Sequence, residues 1–109
     1  MITITIYQNQ AKQYVGFHCI GHAEYAEPGE DIVCAGVSTL VINTLNAIET
    51  FTQESFDAET DRTSGLIDIH FHQPAGHDAQ LLLDTMVLGL QDIQNNYGTD
   101  YSFITFKEV

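Results

Sequence analysis

The stretch GHAEYAEPGEDIVCAGVSTL, residues 21–40, joins a strand pattern to a helix pattern and holds both a histidine and a cysteine. Residues 27–30 (Glu-Pro-Gly-Glu) favour a turn, because proline fixes φ and glycine tolerates positive φ. Asp31 is then predicted to cap a helix that runs to about Thr52, with Cys34 as its third residue. This position would place the thiol near the unpaired N–H groups of the helix end, where thiol pKa values fall.

Hydrophobic periodicity outside this stretch predicts the remaining elements. Strands are expected at residues 2–7, 13–22, 55–61, 66–72 and 100–109, and helices at 31–52 and 78–96, before the stop signal Gly98. The order β-β-α-β-β-α-β indicates an α+β fold with two helices packed on a mainly antiparallel sheet. The chain has room for a single domain over residues 1–109. Val15, Phe17 and Cys19 are expected to point into its core.

The charge balance is strongly acidic, with 15 Asp and Glu residues against 3 Lys and Arg residues, a net charge of −12 with histidines neutral. Without clustered Lys and Arg, direct binding to nucleic acid is not expected. The acidic surface either maintains solubility or attracts a cationic partner. The alternating N-terminus is unlike a signal peptide, and no run approaches the ~20 apolar residues of a membrane span. We therefore expect a cytoplasmic protein without a membrane partner, in which Cys19 and Cys34 remain thiols.

His22 and Cys34 form a candidate catalytic pair. The acidic residues between 24 and 31 disfavour a thiolate at Cys34, but they raise the pKa of His22, and an imidazolium beside the thiol would stabilise the thiolate. The small residues Ala35 and Gly36 would expose backbone N–H groups to a developing oxyanion. A buried, unreactive cysteine in an apolar helix is the alternative interpretation.

Other polar residues keep two interpretations. Asp31 is either a helix cap or a support for the histidine, and Ser38 either orients a group in the site or bonds its own backbone. His70, His72 and His77 lack further ligands that would complete a metal set, so neither a metal nor another cofactor is expected.

The residues Gly21-His22-Ala23, Gly29, 31–35 (Asp-Ile-Val-Cys-Ala) and Val37-Ser38 resemble the ribosomal-processing cysteine proteases (Prp, YsxB-like). The resemblance extends over the whole chain in length and element order. It implies a single cysteine protease domain with Cys34 as nucleophile and His22 as general base and acid. Supporting positions would be Asp31, Ser38, Gly21, Ala35 and Gly36.

The resemblance also implies an activity and a partner. It implies a homodimeric endopeptidase that removes the basic N-terminal extension of a large-subunit ribosomal protein, cutting after an aromatic residue and before a small one. A non-catalytic dimeric module that binds a basic ribosomal or ribosome-assembly partner is the second hypothesis, with Cys34 as a packing residue. A redox-sensing thiol protein is the third, although Cys19 is poorly placed as its resolving cysteine.

Overall fold

The computed structural model describes the backbone of residues 1–21 and 28–109 and the side chains of residues 1–21 and 32–109. Its elements are β1 (Ile2–Gln8), β2 (Tyr14–Ile20), α1 (Pro28–Phe51), β3 (Phe56–Asp61), β4 (Leu66–Phe71), α2 (His77–Tyr97) and β5 (Ser102–Glu108). The predicted order β-β-α-β-β-α-β is confirmed. Gly98 follows α2 with φ of 99°, as its assignment as a stop signal predicted.

The five strands form one sheet in the order β3-β4-β2-β1-β5. Three of the neighbouring pairs are antiparallel, and only the β1–β5 pair is parallel. β5 can run parallel to β1 because α2 forms a crossover between β4 and β5, which returns the chain before β5 begins. The prediction of a mainly antiparallel sheet is therefore confirmed.

The core lies between one face of the sheet and the two helices. Alternate residues of the strands are buried there, including Ile4, Ile6, Phe17 and Ile69. The helices contribute Val33, Val37, Val41, Ile48, Leu83, Met86 and Leu90. Removal of this apolar surface from water is the main term that stabilises the fold, at roughly 25 cal/mol for each Å² buried.

The strand β2 does not follow the predicted alternation of buried and exposed residues at its start. The register with β1 shifts between Tyr7 and Gln8, so that Tyr14 is buried and Val15 is only half-buried. An irregularity of this kind moves the residues beyond it to the opposite face. The Tyr14 hydroxyl donates a hydrogen bond of 2.6 Å to Asp84 Oδ1. Burial, with a smaller effect from that carboxylate, raises the pKa of Tyr14.

The helix α1 begins earlier than predicted. Pro28 is its first residue, so the predicted turn is wrong at Pro28–Glu30, and Asp31 is not the helix cap. Proline suits the first helical position because the N–H it lacks would have no partner there, and its φ already matches the helix. The end of α1 at Phe51 lies one residue before the predicted limit.

By length and composition alone, α1 could cross a membrane over Ile32–Phe51, the one such helix among the described residues. The expectation that no run approaches this length is therefore wrong for α1, which carries only one charged side chain, Glu49, over that span. Buried helices in the cores of soluble proteins meet the same criterion of length and composition. Val33, Val41 and Ile48 on this helix are buried between the sheet and α2.

Candidate active site

Cys34 lies on α1 and lines a cavity of about 430 Å³ between this helix and the β3–β4 hairpin. Its side chain is half-buried. Ser38 and Ile42, one and two turns further along the helix, line the same cavity. Cys34, Ser38 and Ile42 thus form the row beside the buried stripe that helical spacing predicts. Leu66 and Ile67 at the start of β4 complete an apolar wall opposite the helix.

Gly21 closes the cavity at the end of β2. Its φ is 104°, in the left-handed region that favours glycine. Its N–H donates to the Ser64 carbonyl at 3.0 Å. A Cβ atom at this position would collide with the Met1 carbonyl oxygen. Glycine is therefore required here on two independent grounds.

His22, the predicted general base, lies outside the described residues, as do the side chain of Asp31 and the acidic residues from Glu24 to Glu27. The residue directly before His22 is Gly21, which lines the same cavity as Cys34. The structure thus brings the chain position preceding the histidine to the cavity that Cys34 lines. The roles of His22 and Asp31 stay predictions.

Cys34 is the seventh residue of α1 rather than the third. Only about the first four N–H groups of an α-helix lack partners, and the effect of the helix dipole fades within the first turn. The predicted stabilisation of a thiolate by the helix end is therefore wrong. The imidazole of His22 stays the predicted partner of the thiol.

Ala35 and Gly36 border a second groove, which lies between α1 and α2. Their N–H groups are within the helix, where each pairs with the carbonyl four residues earlier. A Cβ atom on Gly36 would lie 3.4 Å from Cδ1 of Ile93 on α2. Ala35 and Gly36 therefore lie next to the contact between α1 and α2. Their oxyanion role stays a prediction that the helical hydrogen bonding does not favour.

Cys19 lies in the core, as predicted, with 3% of its surface exposed. Burial raises the pKa of its thiol to about 12. Both cysteines are thiols. Cys34, which borders the cavity, is therefore the only one of the two placed to meet a substrate.

The three histidines considered above as metal ligands each lie beside a carboxylate. His70 Nε2 lies 3.0 Å from Asp68 Oδ2, and His72 Nε2 lies 2.9 Å from Asp57 Oδ1. His77 pairs with the adjacent Asp78. Among the described side chains, no group of three or more His, Cys, Asp or Glu residues is arranged to hold a metal ion.

A further contact on this sheet face joins β2 to β4 and was not predicted. His18 Nδ1 lies 2.9 Å from Asp68 Oδ1, and this hydrogen bond is the main reason that the pKa of Asp68 is lowered. The His70 ring stacks on Tyr7, with ring centroids 6.4 Å apart. The alternation of His18 with core residues indicated this face, but only the strand register pairs it with Asp68.

Sequence reasoning also missed the hairpin side of the cavity. Asp61, Arg62 and Leu66 lie about thirty residues after Cys34, around the turn between β3 and β4, and line the cavity with it. The pairing of β4 with β2 brings this turn beside Gly21. No local motif marks these residues, so nothing short of the sheet order could have identified them.

A half-buried thiol that lines an apolar cavity on an α+β fold fits a cysteine-type peptidase. Residues 1–102 match the model of the family described as cysteine protease Prp. The chain belongs to this family and is a cysteine-type peptidase.

Relatives of known name support the same assignment. The chain is similar to the ribosomal processing cysteine protease Prp of Staphylococcus aureus (strain Mu50 / ATCC 700699), with 37% identity covering 89% of this chain and 92% of that protein. The protein of the same name from Bacillus subtilis (strain 168) is 32% identical, covering 89% of this chain and 90% of the relative.

Solved structures of the same family have the same fold. The S. aureus protease Prp in complex with a substrate peptide superposes with a TM-score of 0.90 at 34% identity, covering 98% of this chain and 100% of that one. The same protease with a covalently linked product peptide gives a TM-score of 0.88 at 34% identity and the same coverage. The predicted fold class and family are confirmed.

Proposed function

We propose that this peptidase removes the N-terminal extension of a large-subunit ribosomal protein, with Cys34 as the nucleophile and His22 as the general base and acid. The observation that carries the assignment is the half-buried Cys34 thiol, which lines an apolar cavity together with the residue preceding His22. The names of the S. aureus and B. subtilis relatives support processing of a ribosomal protein.

The chemistry follows that of an acyl transfer to sulfur. His22 accepts the Cys34 proton, and the thiolate attacks the scissile carbonyl. His22 then protonates the leaving amine as the C–N bond breaks, which leaves a thioester on Cys34. Water attacks the thioester, the C–S bond breaks, and the thiol is regenerated with a carboxylate product.

The cavity suits the side chain next to the cut. Ile42, Leu66 and Ile67 offer it an apolar wall, which supports cleavage after an aromatic residue. Ser38 presents an exposed hydroxyl on the same helix face, one turn after Cys34. We assign this hydroxyl a supporting role as a hydrogen-bond donor to the substrate or to the developing oxyanion, because the helix N–H groups are already paired.

The charge of the chain suits the proposed substrate. A net charge of −12 raises the encounter rate with a basic peptide by an effect that salt weakens. We further propose that the protein acts in the cytoplasm as a homodimer, as the resemblance implies. Light scattering on the purified protein tests the dimer.

Incubation of the purified protein with the extended ribosomal protein of the same organism tests the activity, with cleavage read by mass spectrometry. Wild type and Cys19→Ala are expected to cut at one site, after an aromatic residue. Cys34→Ala and His22→Ala are expected to retain the fold by circular dichroism and to lose cleavage. Undiminished cleavage by Cys34→Ala would refute the nucleophile, and binding without cleavage by wild type would favour the non-catalytic module.

A further inference from the structure

Arg62 is a cation placed on the same cavity as the nucleophile. The residue sits in the turn between β3 and β4, and it lines the cavity together with Cys34 and Leu66. Lys and Arg number only 3 in the chain, against 15 acidic residues. A positively charged side chain at this cavity is therefore unusual in a chain that is acidic overall.

In the described turn, the adjacent Asp61 carboxylate makes no ion pair with Arg62. Asp61 Oδ1 instead accepts a hydrogen bond of 2.9 Å from the Thr63 N–H within the turn. In the described part of the chain, every ion pair joins a histidine to an aspartate, and Arg62 takes part in none. Its guanidinium is exposed and available to a ligand in the cavity.

The reaction itself generates an anion in this cavity. When water hydrolyses the thioester, its oxygen bonds to the acyl carbon, the C–S bond breaks, and Cys34 recovers its proton. The acid so formed has a pKa of about 3.5 and loses its own proton to solvent at neutral pH. The uncut substrate carries a neutral amide at the same place. A cation beside the scissile bond would therefore meet a carboxylate only after cleavage.

We propose that Arg62 binds the terminal carboxylate of the excised N-terminal peptide and retains this product in the cavity. The inference rests on the proposed function, since it names a product of that reaction. A guanidinium pairs with a carboxylate through two parallel hydrogen bonds, which a single ammonium group does not reproduce. Release of the excised peptide is then slower than its neutral contacts alone would make it, and the product inhibits the enzyme.

Direct binding of two matched peptides tests the proposal. The probes are a short N-acetylated peptide that ends in phenylalanine, as the carboxylate and as the carboxamide, measured by fluorescence polarisation at fixed ionic strength. Wild type is expected to bind the carboxylate about fivefold more tightly than the amide, the effect of one solvent-exposed ion pair. Arg62→Gln should abolish the difference, and Arg62→Lys should retain part of it.

Lys107→Gln is the matched control, because it removes one positive charge from β5, at the opposite edge of the sheet from β3. Its preference for the carboxylate should equal that of wild type. Equal binding of the two peptides by wild type, no binding of either, or the same loss in both variants would overturn the role of Arg62. Cleavage of the ribosomal protein is scored separately, so a failure here is distinguishable from a failure of the proposed function.

Discussion

The two cysteines should differ widely in their rate of alkylation by iodoacetamide in the folded protein. Cys34 is half-buried at a cavity that opens to solvent, whereas Cys19 is 3% exposed on the central strand β2. The thiolate is the species that reacts with iodoacetamide. Labelling of the native protein should therefore modify Cys34 and leave Cys19 intact.

The size of the difference follows from the shifted pKa of Cys19. Burial raises that pKa from 9.0 to about 12. Each pKa unit changes the thiolate fraction by about tenfold, so at neutral pH Cys19 holds about a thousandfold less thiolate than an ordinary thiol. Its burial slows the reagent further, because access requires opening of the sheet on both sides, where Cys19 pairs with Ile4 and Ile67.

Peptide mass spectrometry after timed labelling measures both rates in one sample, with a denatured sample to show that both thiols can react. His22→Ala should slow the labelling of Cys34 near neutral pH if, as proposed, the imidazole of His22 acts on the Cys34 thiol as a base. Labelling of Cys19 at more than about a hundredth of the Cys34 rate would refute the argument from burial and pKa. An unchanged Cys34 rate in His22→Ala would contradict the proposed pair.

Three further predictions concern the cavity, the glycine that closes it and the sheet face that carries Asp68. Gly21→Ala should lower the melting temperature more than Gly98→Ala, because both positions have positive φ, costing about 1–2 kcal/mol, but only the Cβ at Gly21 also meets backbone. Equal losses in thermal unfolding would contradict the close approach. Ile42→Trp should raise KM for the peptide substrate several-fold by filling the cavity, while Ile32→Trp, on the same helix but outside the cavity, should leave KM unchanged. Because the pKa of Asp68 is lowered in the folded state, its stabilising effect is present above the unfolded pKa of about 4 and is lost as pH falls through the lower folded value. Asp68→Asn should thus cost about 0.5 kcal/mol in urea unfolding at pH 7 and less at pH 3, and an equal cost at both would count against the ion pair.

Much of the fold was predictable because local spacing determines it. Ile2, Ile4 and Ile6 alternate with polar residues, and their burial in β1 follows from that period of two. The failures came where local rules compete. Pro28 fits a turn and a first helical residue equally well, and only the folded helix α1, which begins there, decides between them.

The candidate site was also predictable only in part. The sequence alone determined that Cys34 and His22 are the residues with reactive side chains in a motif typical of a protease family. It also determined that Cys19 belongs to the core. The acidic net charge also follows from the sequence, because the formal charge does not depend on the fold.

Only the tertiary structure decided what surrounds the thiol. The register of β4 on β2 brings Arg62 and Leu66 to the cavity, and the early start of α1 removes Cys34 from the helix end. These relations join residues about thirty positions apart or depend on where a helix begins. Spacing along the chain carries neither kind of information, because the pairing of strands distant in sequence is fixed by packing of the whole core.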